Sequence, residues 1–422
     1  MYKNSARYSA KCAWVPSAAL EYGFYFTILY GLVAPAWGLQ IPLFGPALLL
    51  SLAGFCMFRL RSRVAHIVKP IAYQIGCAVS FILVEVGIHG DLEGARPFVT
   101  WLISLVLVQA LLLRPRFMHR FAIAAFIIGS LLLPYLNFSG TEVVRAGLKA
   151  VGLSNANALG MWFGFCCVYF LVLGIEGRQG PLRIVSWCLS AASLFVVGLT
   201  VSRGPLLGVV MASVLACRRT LKKAFLPLFA VSFLAGIVLM SGLFDSIINY
   251  YLTRGEEETG RGVMLPVAID DFFRSPWIGV GIENTIIRLN SSLGYIQNTP
   301  HNGFLFIGIA CGIIPLTYFV LNWIRAMRGA FGASGRLFAE SPFLPPLLTF
   351  ALLETLILDT AFMSAWHTVV ISMSVSAAMA YRPQRSQAKP QLVRGKPSGR
   401  VQRHHSRFRP QRYPPLYIRS SK

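Results

Sequence analysis

Apolar segments long enough to cross a bilayer recur along the whole chain, and they constrain its fold more than any other feature. A helix of about 20 apolar residues covers the ~30 Å hydrocarbon core of a membrane, so each such segment is a candidate span. About twelve are predicted: Ser17–Trp37, Ile41–Phe58, Ile71–Ile88, Phe98–Leu113, Phe121–Phe138, Ala158–Ile175, Ile184–Thr200, Pro205–Ala216, Ala224–Ser241, Gly303–Trp323, Phe343–Leu358 and Thr368–Tyr381. Only 13% of the residues are charged, against about a quarter in soluble domains. The sequence predicts an all-α polytopic membrane protein.

Basic residues occupy every second connector between these segments, as in Arg59–Arg63 and Arg218–Lys223. The positive-inside rule therefore predicts that both termini lie in the cytoplasm. The expected organisation is a cytoplasmic N-terminus at 1–16, helices 1–9 at 17–241, a long outer loop at 242–302, helices 10–12 at 303–381 and a basic cytoplasmic tail at 382–422. Any chemistry is therefore expected in the membrane or in this outer loop.

The net charge of +23 follows largely from these connectors and the tail, so it does not require a nucleic-acid partner. The tail is rich in Pro, Arg and Ser and is predicted to be disordered. Contact between its basic residues and anionic membrane lipids is an alternative to simple solvation.

Several polar residues stand at the outer ends of predicted spans. Arg203 lies between two apolar segments, and a charged residue there usually faces a polar cavity or a partner. His301 is the only histidine of the outer loop and precedes the tenth span. Three alternatives remain open. The side chain of Arg203 extends to the membrane–water interface, or the loop arginines pair with the acidic residues of the same loop. The third is that His301-Asn302 only caps a helix.

The arrangement of these residues resembles the bacterial O-antigen ligase and O-antigen polymerase superfamily of integral membrane glycosyltransferases. The family's Arg-x-x-x-Leu element is matched by Arg203-Gly-Pro-Leu-Leu207, and its His-(Asn/Ser/Gln)-x9-Gly element by His301-Asn302 and Gly312. The segment from Gly260-Arg261 to Ser275-Pro276-Trp277-Ile278-Gly279-Val280-Gly281 is similar to the family's Gly-Arg…Pro-x-x-Gly-x-Gly stretch. Pro315 stands where ligases have Gly, Thr or Tyr, so ligase and polymerase both remain open.

The resemblance implies a GT-C-like, metal-independent and inverting glycosyltransferase of the bacterial inner membrane, without a cofactor. It implies a donor glycan on undecaprenyl diphosphate and a glycan or glycolipid acceptor on the periplasmic side. His301 is then the expected general base, since a neutral imidazole can accept the acceptor's hydroxyl proton. The expected diphosphate-binding residues are Arg203, Arg261 and Arg254, because cationic donors stabilise the leaving group's growing charge. Asn302 and Asn157 are candidates for binding substrate.

Two other functional classes fit part of the pattern. A transporter or flippase of lipid-linked glycans would use the intramembrane acids Glu85, Glu354 and Asp359, although no internal symmetry of two halves is apparent. A non-catalytic partner in polysaccharide assembly would tolerate loss of His301.

Overall fold

The computed structural model describes residues 16–33, 41, 43–61, 64–139, 145–148, 156–176, 180–218, 261–285, 300–332, 342–358 and 361–380. The predicted ninth span, Arg254 and the basic tail lie outside these ranges.

Fourteen α-helices make up most of the described structure. They are α1 (Ala18–Val33), α2 (Phe44–Arg59), α3 (Val64–Val68), α4 (Ala72–Val84), α5 (Leu92–Leu111), α6 (Phe117–Leu132), α7 (Ala156–Glu176), α8 (Pro181–Leu199), α9 (Arg203–Cys217), α10 (Arg261–Arg274), α11 (Gly303–Cys311), α12 (Ile313–Phe331), α13 (Leu344–Ile357) and α14 (Ala365–Ala380). A π-helical turn, Glu85–His89, continues α4, and 3₁₀ turns follow α6 (Leu133–Tyr135) and precede α14 (Ala361–Met363).

Five helical segments of the described chain are long and apolar enough to cross a membrane: Ala72–His89, Leu92–Leu111, Phe117–Tyr135, Ala156–Glu176 and Pro181–Leu199. Helices are the expected form in lipid because every backbone N–H and C=O group is bonded within the segment. Helices α2, α9, α13 and α14 are apolar but shorter. The helical character of the predicted membrane protein is therefore confirmed, whereas the number of twelve spans stays a prediction.

One small element departs from the all-α prediction. Strands β1 (Leu136–Ser139) and β2 (Arg145–Leu148) pair antiparallel between α6 and α7, with Leu136 opposite Leu148 and Ser139 opposite Arg145. Strand β1 includes the last three residues of the predicted fifth span, so that span ends earlier as a helix than predicted. Strand β2 lies in the polar connector before the predicted sixth span, where apolar periodicity gives no helical signal.

Helix α7 lies at the centre of the bundle, and nearly every residue from Leu159 to Val172 is buried. A helix that is apolar on all sides is expected in such an interior position. Its glycines let neighbouring helices approach closely: a Cβ atom at Gly164 would lie 2.5 Å from the ring of Phe350 in α13.

An ion-paired cluster joins α1 to α6 and to the connector before α6. The buried carboxylate of Glu21 accepts two hydrogen bonds from Arg120, at 2.7 and 2.9 Å, and lies 2.6 Å from Arg114 Nη1. Tyr25 donates its hydroxyl proton to the same carboxylate. Arginines of a connector predicted to be cytoplasmic thus also serve to hold the first helix in place.

The predicted tenth span is not one continuous helix. The segment Gly303–Trp323 is divided at Gly312, whose φ of 83° ends α11 and starts α12. The ring of Phe304 lies 5.0 Å from that of Phe319 and 6.2 Å from that of Trp323. Gly308 lies against Leu316. These pairings run in opposite directions along the two helices, so α11 folds back on α12 as an antiparallel hairpin.

Candidate functional site

His301 stands at the end of the hairpin that is farthest from Gly312. It is half-buried and has a left-handed backbone, with φ of 49°. Such a conformation costs a non-glycine residue on the order of 1–3 kcal/mol and often marks a functional position. The irregular backbone ends at Asn302, because α11 begins at Gly303. The histidine is thus presented from a fixed helix end.

Asn302 is the N-cap of α11. Its side-chain oxygen accepts hydrogen bonds from the backbone N–H groups of Phe304 and Leu305, both at 3.0 Å. This satisfies two of the donors that a helix start leaves unpaired. The oxygen of Asn302 is therefore engaged in the helix, and the amide nitrogen is the part of the side chain suited to contact a substrate.

The glycines of the loop segment 276–281 allow two backbones to meet. A Cβ atom at Gly279 would lie 2.3 Å from the carbonyl oxygen of Ala310, and one at Gly312 would lie 2.3 Å from that of Trp277. Gly279, Gly281 and Gly312 all have positive φ, which glycine adopts without penalty. The segment and the hairpin turn are thus in direct backbone contact.

Backbone hydrogen bonds fasten this contact. Val280 donates to Ile309 O and Gly281 donates to Ala310 O, both at 2.9 Å. Ile313 donates to Pro276 O at 2.7 Å. The Pro-x-x-Gly-x-Gly stretch and the glycine that follows His301 by eleven positions therefore form one structural unit.

Polar contacts from Glu85 and His89, in the π-helical turn that continues α4, hold the same unit. The buried carboxylate of Glu85 accepts hydrogen bonds from Ile282 N at 3.2 Å and from the thiol of Cys311 at 3.2 Å. The ring of His89 lies 3.3 Å from Ile278 O. Glu85, one of the intramembrane acids considered above for a transporter, thus takes part in hydrogen bonds that join α4 to this unit. His89 was missed, because a lone polar residue in a connector carries no distinguishing pattern.

Helix α10 packs beside α11 and runs in the same direction. Phe272 lies against Gly308, and just beyond the ends of both helices Trp277 O lies against Gly312. Ala268, Val280 and Ile309 form a small apolar cluster with Leu305. Because the two helices are aligned in this way, their N-termini lie at the same end of the pair. Arg261, the first residue of α10, is therefore at the end where His301 lies. Two of the predicted site residues are therefore carried on neighbouring helix ends.

Arg203 begins α9 and is exposed. The next residue, Gly204, packs against Ile357 at the end of α13. Gly160 in the first turns of α7 packs against Pro205 and Thr200. Asn157, one turn before Gly160, is therefore at the same end of the bundle as Arg203.

Helix α13 packs against helices from both groups of predicted site residues, Arg203 and Asn157 on the one hand and His301 on the other. It contacts α7, α9 and α11. The helices that carry Arg203 and Asn157 and the helix that follows His301 thus all contact α13, while Arg254 lies outside the described residues. In the same described part of the chain, no three His, Cys, Asp or Glu side chains are grouped as metal ligands would be.

Residues 188–320 match the family model for O-antigen ligase, a region that contains Arg203, Arg261, His301 and Gly312. No curated protein matches the chain. The matched region begins in α8 and ends in α12, so it includes α9, α10 and the hairpin described above. This part of the chain is therefore similar to the O-antigen ligase family.

Proposed function

We propose that this protein transfers a glycan from undecaprenyl diphosphate to a hydroxyl group of an acceptor on the periplasmic side of the bacterial inner membrane. The observation that carries the proposal is the match to the O-antigen ligase family over the region that holds His301. The hairpin and the Asn302 cap support it, because they hold the histidine at a fixed helix end.

In the proposed reaction His301 is the general base. It accepts the proton of the acceptor hydroxyl as that oxygen attacks the anomeric carbon of the donor. The bond from the anomeric carbon to the diphosphate oxygen breaks, and the configuration at that carbon inverts. A positioned base of this kind contributes roughly 10²–10⁴-fold to the rate.

Arginines take the charge of the leaving group in this proposal. The departing lipid diphosphate gains negative charge, and guanidinium groups bind phosphate oxygens with paired donors. Arg203 is exposed at the start of α9, and Arg261 is the first residue of α10, so each of them stands at a helix N-terminus. Arg254 is a third candidate. Asn157 and the amide nitrogen of Asn302 are proposed to contact substrate.

The test is transfer of glycan in proteoliposomes that contain the purified protein, a lipid-diphosphate-linked donor and candidate acceptors. The His301→Ala variant is expected to lose transfer by roughly 10²-fold or more. His119→Ala is the matched control, because His119 lies on α6 and bonds to Tyr169, away from the site. Full transfer by His301→Ala at normal protein level would show that the histidine is not the base.

The same vesicles separate the proposed enzyme from a transporter. Glu354 is a buried acid within an apolar helix, which is the kind of group a transporter uses. Movement of the lipid-linked glycan across the bilayer without covalent transfer would favour that alternative. Covalent product with a core glycolipid would identify a ligase, and product with a second repeat unit would identify a polymerase.

A further inference from the structure

The backbone of His301 needs support from its surroundings. A residue other than glycine with φ of 49° keeps this conformation only when the structure around it holds it there. The Asn302 cap fixes the start of α11, but a helix of nine residues depends on side-chain packing to stay in place. The packing of the first turn of α11 therefore decides where the histidine stands.

Phe304 supplies packing in that first turn. Its backbone N–H donates to the Asn302 side chain at 3.0 Å, so it belongs to the same turn as the cap. The centre of its ring lies 5.0 Å from that of Phe319 and 6.2 Å from that of Trp323, distances typical of attractive aromatic pairs. Phe319 and Trp323 are four residues apart, so they project from one face of α12 and hold the Phe304 ring together.

Trp323 also packs against His367 in α14. The two ring centres are 5.6 Å apart, in an edge-to-face arrangement. His367 is itself fixed, because its Nε2 lies 3.0 Å from the hydroxyl oxygen of Thr355 in α13. Trp323 and His367 are only 4% and 3% exposed. Trp323 thus links the first turn of α11, through Phe304, to a hydrogen-bonded ring of another helix.

Ring contacts place the Trp323 side chain. Its indole N–H is buried and has no acceptor within the described part of the chain. The N–H therefore does not fix the ring, and this side chain contributes its volume and its shape. A smaller side chain at position 323 should then act in proportion to the volume that it removes.

We propose that Trp323 is a positioning residue for His301. Trp323 and Phe319 hold the ring of Phe304, and Phe304 holds the first turn of α11, which sets the position of the histidine. Loss of the Trp323 ring lets this turn shift, and a displacement of about 1 Å can cost on the order of 10²-fold in rate. The inference rests on the proposed function for this effect on rate, whereas the effect on the place of His301 stands without it.

The exposure of His301 can be measured without an assay of transfer. Diethyl pyrocarbonate acylates imidazole nitrogen at a rate that depends on access to the ring, and mass spectrometry of the digested protein follows this rate at His301. The full-length protein in detergent is compared with its Trp323→Leu and Trp323→Phe variants. Trp323→Phe keeps a ring and is the milder change, so it carries the test if Trp323→Leu is not recovered as folded protein.

Trp162→Leu is the matched control. Trp162 is as buried as Trp323, at 4%, and its indole nitrogen donates to Ala125 O at 2.9 Å. Its loss removes a comparable volume from the core, and a hydrogen bond besides, where α7 packs against α6. His119, which bonds to Tyr169, is the reference for the reagent in every variant.

We expect His301 to react about fivefold faster or more in Trp323→Leu, because a contact that restrains local opening is lost. Trp323→Phe should give a smaller increase, and the rate at His119 should not change. In Trp162→Leu the rate at His301 should stay as in the unchanged protein. In proteoliposomes, the kcat of Trp323→Leu should fall by roughly tenfold or more with KM little changed, since the base and not the substrate is displaced.

The outcomes separate this proposal from the proposed function. A rate at His301 in both Trp323 variants that is no higher than in Trp162→Leu would overturn the positioning role, even if transfer falls, because the fall would then reflect general destabilisation. Faster reaction of His301 together with full transfer would support the positioning role and would count against His301 as the base.

Discussion

The carbonyl oxygen of Trp277 lies where a side chain on Gly312 would have to begin: the two positions are 2.3 Å apart. This contact joins the loop segment that follows α10 to the reversal between α11 and α12. It explains in physical terms why position 312 needs glycine. On the other side of the junction, the carbonyl oxygen of Ala310 has the same effect on Gly279.

Replacing Gly312 by alanine is expected to destabilise the junction. The new Cβ atom would overlap the Trp277 carbonyl, and a φ of 83° is strained for any side chain. We expect a loss of roughly 1–3 kcal/mol, seen as a lower thermal midpoint in detergent, together with a loss of transfer. Gly54→Ala is the control, because the site in α2 has open space around it and should gain slightly in stability. Equal stability of the two variants would contradict the close contact.

Removing the Glu85 carboxylate is expected to release the loop segment from α4. The Ile282 N–H would lose its acceptor, and an unpaired buried donor costs ~1–3 kcal/mol. Hydrogen exchange at the amides around Ile282 should accelerate by about tenfold or more in Glu85→Ala. Glu85→Gln keeps one acceptor oxygen and should give an intermediate rate. Unchanged exchange in both variants would mean that the Glu85 carboxylate does not hold the segment.

Substitutions at Asn302 can separate capping from substrate binding. Asn302→Ala removes the acceptor for Phe304 N and Leu305 N and should cost about 0.5–2 kcal/mol of stability. Asn302→Asp and Asn302→Ser keep a capping oxygen and should retain stability. If the amide nitrogen contacts substrate, these two variants will nevertheless lose transfer, measured as an increase in KM or a decrease in kcat. Full activity of both would leave Asn302 as a helix cap only.

Arg203→Ala is expected to weaken transfer without affecting the fold, since the side chain is exposed at the start of α9. If it stabilises the leaving diphosphate, the loss should be of order 10²–10³-fold, as for other donors that act on developing charge. Arg203→Lys should recover only part of it, because lysine lacks the paired donors. Arg96→Ala, an exposed arginine of α5, serves as control. A full rate for Arg203→Ala would remove it from the site.

Much of the helical architecture could be predicted from the sequence because long apolar segments have few alternatives in lipid. The reversal at Gly312 could not be predicted in this way. The apolar content of Gly303–Trp323 is the same whether the segment crosses straight or folds back, and the contact that decides between them comes from Trp277, far away in the chain.

The candidate site residues could be predicted from the spacing of motifs, and their surroundings could not. His301, Arg203 and Gly312 stand at fixed intervals that a sequence displays. The acceptor role of Glu85 toward Ile282 joins residues 197 positions apart, and no local pattern encodes such a distance.

The length of α11 sets the interval between Asn302 and Gly312 in the sequence. The nine residues between them are the whole of α11, from its cap to the reversal. Each residue of a helix adds a turn of about 100° and a rise of about 1.5 Å. Inserting or deleting one residue would therefore swing His301 by more than a quarter of a circle around the helix axis, although every side chain of the site would still be present.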